Sequence, residues 1–116
     1  MPLEDLELAR KIAETAADRQ ASDVVLLDTS KVCSFADYFI VCSGESDRQI
    51  EAICDAIDEA VKGQKLVHRR REGTPGSGWV LMDMGNIIVH IFAPFEREYY
   101  RLEDLWSRAP VVVKMI

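Results

Sequence analysis

The chain has 116 residues, 48% of them hydrophobic and 29% charged, which is the balance of a folded domain built around one core. A core at this length buries roughly two-thirds of the unfolded chain's surface, so two full domains do not fit. With 14 Lys+Arg against 20 Asp+Glu, a net charge of −6 and a pI near 4.9, the composition excludes a protein that coats nucleic acid with a basic face. An acidic chain is better matched to a basic protein surface. No window reaches the roughly 18 apolar residues of a membrane span. The acidic start, Met1-Pro2-Leu3-Glu4-Asp5, has neither a basic signal-peptide region nor an Arg-rich transit pattern, so a cytoplasmic protein is expected. Cys33, Cys42 and Cys54 are odd in number and lack CxxC spacing, which suits a reducing compartment rather than a disulfide framework.

Residues 4–19 predict an amphipathic helix with Leu6, Ala9, Ile12, Ala13, Ala16 and Ala17 on its apolar side. After a break at Ala21-Ser22-Asp23, the β-branched run Val24–Asp28 predicts a strand. A polar connection from Ser30 to Ala36 leads to a second strand, Tyr38–Cys42, apolar on both faces and ended by Ser43-Gly44. Ser46, with Gln49 three residues on, reads as a capping box opening a helix whose stripe is Ile50, Ile53, Cys54, Ile57 and Val61 and whose stop is Gly63. Leu66–Arg70 predicts a third strand, and Gly73–Gly78 a flexible loop. Trp79–Met84 and Ile87–Phe92 predict a β-hairpin around Gly85-Asn86. After Pro94 a helix over 95–107 is expected to carry Phe95, Tyr99, Leu102 and Trp106 on one stripe, and the apolar tail from Pro110 either adds a short strand or docks elsewhere. The order αββαβββα makes residues 1–116 one α/β domain with a mixed sheet of about five strands and flanking helices.

The hairpin can be taken face by face, because side chains alternate along a strand and opposed residues share a face. With Gly85-Asn86 in the turn, Asp83 lies opposite Ile88 and Leu81 opposite His90. One face is then Val80, Met82, Met84, Ile87, Val89 and Ile91, wholly apolar, and belongs against the helices. The other is Trp79, Leu81, Asp83, Ile88, His90 and Phe92. That mixture fits two things equally: a second, partly covered core layer, or the aromatic centre of a protein-binding surface.

Other candidates for chemistry are weaker. Cys42-Ser43-Gly44-Glu45-Ser46 stands at a strand-to-helix junction, where nucleotidyltransferases hold phosphate. A nucleotidyltransferase-like enzyme or nucleotide sensor using Ser43-Gly44 and Asp83 is therefore the alternative function. It lacks an Asp-x-Asp or Asp-x-Glu pair for metal ions, and Glu45 and Asp47 would repel phosphate, so a capped helix start is favoured. His68 and His90 have no metal-ligand spacing to Cys, Asp or Glu, and neither metal nor cofactor is expected. A Cys42–His90 pair would be a nucleophile only if the thiol could ionise, which an apolar strand opposes. His68-Arg69-Arg70-Arg71 is the one basic run; it reads either as a strand edge kept soluble by charge or as a local contact with RNA phosphate.

Several stretches together resemble the Iojap family of ribosomal silencing factors. They are Asp37–Gly44 followed by Ser46 and Gln49, then Glu72-Gly73, then the hairpin from Trp79 to Phe92, and finally Arg97, Tyr100 and Leu102–Trp106. The resemblance runs from about residue 3 to residue 109. It implies a nucleotidyltransferase-like α/β fold without enzymatic activity and a homodimer. It implies, as partner, the large ribosomal subunit, held through the protein numbered fourteen on its intersubunit face. Occupying that face would block joining of the small subunit and repress translation when nutrients are scarce. The family's partner-binding positions fall on Trp79, Asp83, Gly85 and His90, with Tyr38, Ser43 and Tyr100 beside them. A minor contact with ribosomal RNA would use His68 to Arg71. The departures are Asn86, where the family more usually has Asp, and Met82 and Met84 in place of commoner Leu and Tyr types.

Overall fold

The computed structural model describes residues 4–66, 69–105 and 107–115. Helix α1 (Asp5–Asp18) leads into β1 (Ser22–Asp28) and β2 (Tyr38–Ser43), and α2 (Asp47–Ala60) follows. The strands β3 (Arg70–Glu72), β4 (Trp79–Asp83) and β5 (Ile87–Phe92) come next, then the short helices α3 (Pro94–Tyr100) and α4 (Leu102–Leu105), and last β6 (Val111–Met115). The six strands form one sheet in the order β3-β4-β5-β2-β1-β6. β2 and β5 run parallel and the other neighbours antiparallel, so the expected mixed α/β architecture holds. The sixth strand is the apolar tail, which completes the sheet by pairing with β1.

Both faces of the sheet are covered over its central strands β5, β2 and β1. On one, α1 and α2 pack over Val24, Leu26, Ile40, Cys42 and the apolar face of the hairpin, where Val80, Met82, Met84, Ile87, Val89 and Ile91 are all buried. On the other, a second cluster joins Val25, Leu27, Phe39, Val41, Ile88 and Phe92 to Ala36, Leu102 and Ala109 from the segments that cross this face. The hairpin register is the expected one, with Asp83 opposite Ile88, Leu81 opposite His90 and Trp79 opposite Phe92.

Four elements differ from expectation. In α1 the buried residues begin at Leu8, whereas Leu6 is 36% exposed. The stripe Ala9, Ile12, Ala13, Ala16 tolerates either leucine, and the helix settles with Leu8, one turn before Ile12, inward. β3 starts at Arg70, where the expected strand ended; the earlier part of that expectation includes Val67 and His68, outside the described residues. Its three residues are exposed and pair with Asp83, Met82 and Leu81, as a charged edge strand does. The helix expected over 95–107 is broken at Arg101, which adopts a left-handed conformation (φ 46°) between α3 and α4. Phe95 and Tyr99 consequently stand 72% and 70% exposed, while Leu102 is buried; Trp106 lies outside the described residues. Finally, the glycine-rich loop contains a 3-10 turn (Pro75–Ser77) in which the Ser77 hydroxyl donates to the Thr74 carbonyl at 2.7 Å and accepts the Thr74 N–H at 3.3 Å.

Gly73 opens that turn at φ +83°, and a Cβ there would fall inside the contact radius of the Trp79 carbonyl oxygen. Gly73→Ala combines left-handed strain with a backbone clash, and should destabilise the fold by about 2–4 kcal/mol. Thermal or urea unfolding reads this directly; a wild-type midpoint would mean that the turn has room to move.

Candidate functional site

The mixed face of the hairpin continues across β5 onto β2 as three rows, because the β4–β5 and β5–β2 registers align. Trp79, Phe92 and Ser43 form the first row, Leu81, His90 and Val41 the second, and Asp83, Ile88 and Phe39 the third. β5 is buried on both faces, so Phe92, His90 and Ile88 are covered. β4 alternates instead: Val80 and Met82 are buried, while Trp79, Leu81 and Asp83 are half-buried. The second core therefore meets solvent along a Trp79-Leu81-Asp83 stripe. β5 fits the second core layer, while β4 is only partly covered.

Trp79 is set in an aromatic cluster. Its ring lies 5.0 Å from Phe92, 4.7 Å from Tyr100 and 5.9 Å from His90. Its indole Nε1–H donates to His90 Nδ1 at 3.2 Å. His90 is only 4% exposed, with Phe39 at 5.1 Å on its other side. Burial among these uncharged rings holds its pKa down at about 4, so the imidazole is neutral at pH 7. Because Nδ1 accepts, the proton sits on Nε2, which has no hydrogen-bond partner among the described residues. At the other end of the stripe, Asp83 Oδ1 accepts the Gly85 N–H at 2.9 Å, and Gly85 (φ +93°) turns the chain.

Of the positions that the family resemblance implies, Trp79, Asp83 and Gly85 come together along β4 and its turn, with Tyr100 lying over Trp79. His90 lies beneath them, almost wholly buried. Ser43 is in the Trp79 row but 6% exposed, and its Oγ accepts from Arg97 Nη1 at 3.0 Å. Tyr38 is on the opposite, helix-covered side, packed against that core. Desolvation, and then the carboxylates of Asp28, Asp37 and Asp5, raise its phenol pKa. Asn86 also turns away from the stripe: its Nδ2 donates to Asp5 Oδ2 at 2.9 Å, tying the hairpin to the first turn of α1. An Asp at this position would instead face a carboxylate.

Arg97 is the structural residue that spacing and periodicity could not reveal. It holds Ser43 Oγ with one nitrogen and the Asp23 carbonyl, 2.9 Å away, with another. That joins α3 to the end of β2 and to the bulged start of β1, where Asp23 has φ 50°. Only the family resemblance had marked it.

The groups a phosphate would need at Ser43-Gly44 are already engaged. Gly44 N–H donates to the Phe92 carbonyl at 2.9 Å, and Glu45 N–H to Gln49 Oε1 at 2.6 Å. Ser46 Oγ accepts the Gln49 N–H at 3.1 Å, the expected cap, while Gln49 Nε2 reaches back to the Gln20 carbonyl at 2.9 Å. A Cβ on Gly44 would stand 2.7 Å from Ile50 Cγ1, so this glycine lets α2 approach the sheet. Asp83 lies two rows from Ser43 with β5 between them. Cys42 and His90 point to opposite faces, and burial pushes the Cys42 thiol up to about 12. Among the described residues, no three His, Cys, Asp or Glu side chains form a cluster that could hold a metal ion.

In the basic run, Arg69 pairs with Asp58 at 3.2 Å and Arg71 with Glu51, both carboxylates of α2. Arg70 is exposed across from Asp83. His68 lies outside the described residues. Among the described residues, no helix is long and apolar enough to cross a membrane.

The family model described as ribosomal silencing factor during starvation matches residues 2–115. Over 102 residues the chain is 40% identical to a protein named ribosomal silencing factor RsfS from Bacillus subtilis (strain 168), covering 87% of this chain and 86% of that one. It is 31% identical over 107 residues to the protein named Iojap, chloroplastic, from Zea mays, covering 91% of this chain and 46% of the maize protein. A crystal structure of a Chromobacterium violaceum protein superposes with a TM-score of 0.82 at 34% identity, over 90% of this chain and 88% of that one. One from Bacillus halodurans gives 0.78 at 34% identity, over 94% and 99%.

Proposed function

The chain belongs to the ribosomal silencing factor family, and on that premise we propose that it binds the large ribosomal subunit and blocks its joining to the small one, lowering translation under nutrient limitation. The contact is with the protein numbered fourteen on the intersubunit face, and the mechanism is steric, without catalysis. The homodimer and the cytoplasmic location that the resemblance implies belong to the same proposal.

The observation that carries this reading is the β4 stripe, where Trp79, Leu81 and Asp83 are half-buried beside the covered strands β5 and β2. A rigid, partly exposed indole backed by aromatic rings is the kind of anchor that dominates protein interfaces. Asp83, held by the Gly85 N–H, presents a fixed carboxylate. A chain of net charge −6 gains association rate on a basic ribosomal protein. The Arg69 and Arg71 ion pairs leave Arg70 as the side chain best placed for a minor contact with ribosomal RNA.

Co-sedimentation with purified large subunits tests the reading, and Asp83→Asn locates the charge. Asn keeps an acceptor for the Gly85 N–H but removes the anion, so the variant should melt like the wild type and bind about fivefold more weakly at low salt. The difference should shrink as ionic strength rises and screens the pair. Equal affinity at every salt concentration would remove Asp83 from the interface.

A further inference from the structure

We propose that His90 is a positioning residue for the partner-binding indole: it does not meet the partner, but holds Trp79 in the orientation the partner requires. The inference rests on the reading of Trp79 as the interface anchor and assigns the unseen residue that controls it.

The two side chains are opposed diagonally across the β4–β5 pair, His90 standing directly across from Leu81, one row below Trp79. From there Nδ1 accepts the indole Nε1–H at 3.2 Å. Phe92 and Tyr100 fix the plane of the indole by ring contacts at 5.0 and 4.7 Å, but such contacts leave a ring free to flip or slide. The hydrogen bond supplies direction, because only one edge of the indole carries the donor. Phe39, Phe92 and Trp79 surround the imidazole, and an aromatic hydrocarbon of similar size would suit that setting better. The imidazole instead leaves Nε2–H buried and unpartnered among the described residues. An orphaned donor in a core opposes folding. What the imidazole provides in return is the acceptor at Nδ1, and its polar contact there among the described residues is the indole.

The test uses the full chain, labelled with nitrogen-15, and purified large subunits. Trp79→Phe identifies the Trp79 indole signal by removing it. In His90→Phe that signal should move upfield and exchange faster with water, and affinity for the large subunit should fall five- to tenfold, while the melting temperature holds or rises. His90→Gln offers a carboxamide oxygen as acceptor and should recover most of both. An unshifted indole signal with unchanged affinity in His90→Phe would overturn the proposal. So would an affinity loss that tracks a lower melting temperature and is as large in His90→Gln, since that is the mark of packing alone. If the wild-type chain does not bind large subunits, the ribosomal reading falls, and the indole signal still decides whether His90 holds Trp79.

Discussion

Replacing Trp79 with Ala should lower affinity for the large subunit by at least thirtyfold and should lower the stability of the fold as well. The first effect follows from its position: a half-buried indole at the edge of an aromatic cluster is a typical hot spot, and truncating one costs about 2–4 kcal/mol of binding, or roughly thirtyfold and more. The second follows from its neighbours. Trp79 packs on Phe92, Tyr100 and His90 and is counted with the second core, so Ala leaves a void there. A fully buried Trp→Ala change costs about 3–5 kcal/mol, and half-burial should bring this to about 2 kcal/mol. Lost binding in Trp79→Ala must therefore be weighed against its melting curve. Trp79→Phe separates the two effects. It keeps most of the ring contact, so its melting temperature should stay close to that of the wild type while binding still drops. Both variants binding at wild-type strength would mean that the β4 stripe is not the contact face.

The second large effect is on stability against pH, and its sign follows from His90. In the folded chain the imidazole titrates near 4 rather than near the ordinary 6.5. Between those values the unfolded chain binds a proton that the folded chain refuses, so stability rises with pH across the window. It is fully present above about pH 6.5 and is lost progressively as pH falls toward 4, to a limit of about 3 kcal/mol. Other groups titrate in acid too: Asp28, whose carboxyl is held low by the Ser30 hydroxyl and N–H, adds its own loss at lower pH. His90→Phe isolates the imidazole, because every other group is common to both proteins. Urea unfolding from pH 7.5 to 4 should give a variant curve that is flatter than the wild type's by about that amount. Parallel curves would contradict a buried, neutral His90.

These two residues also mark what was legible in the sequence. The hairpin could be laid out residue by residue, since a two-residue turn sets the register and an all-apolar face leaves one choice of which side is inward. The sequence pattern alone therefore places Trp79, Leu81 and Asp83 together on one face. The burial of His90 could not be seen, because what covers it, Phe39 on β2 and the segments crossing that face, is distant in the chain. Tyr38 illustrates the same limit on a parallel pair: its partner Ile87 was unknown, so the face it joined was unknown too. The break at Arg101 had no glycine or proline to announce it, and this non-glycine residue takes a left-handed conformation to let Leu102 turn inward while Phe95 and Tyr99 stay out. β6 was ambiguous because five apolar-rich residues have no preferred period, and only the open edge of β1 makes them a strand.

The central claim is steric, and subunit joining tests it most directly. Purified large subunits are saturated with the protein, small subunits are added, and formation of the joined ribosome is followed by light scattering. Joining should be suppressed in proportion to occupancy, and large subunits incubated with Trp79→Ala should join at the rate of untreated ones. Full-rate joining by large subunits shown to carry the wild-type protein would contradict it.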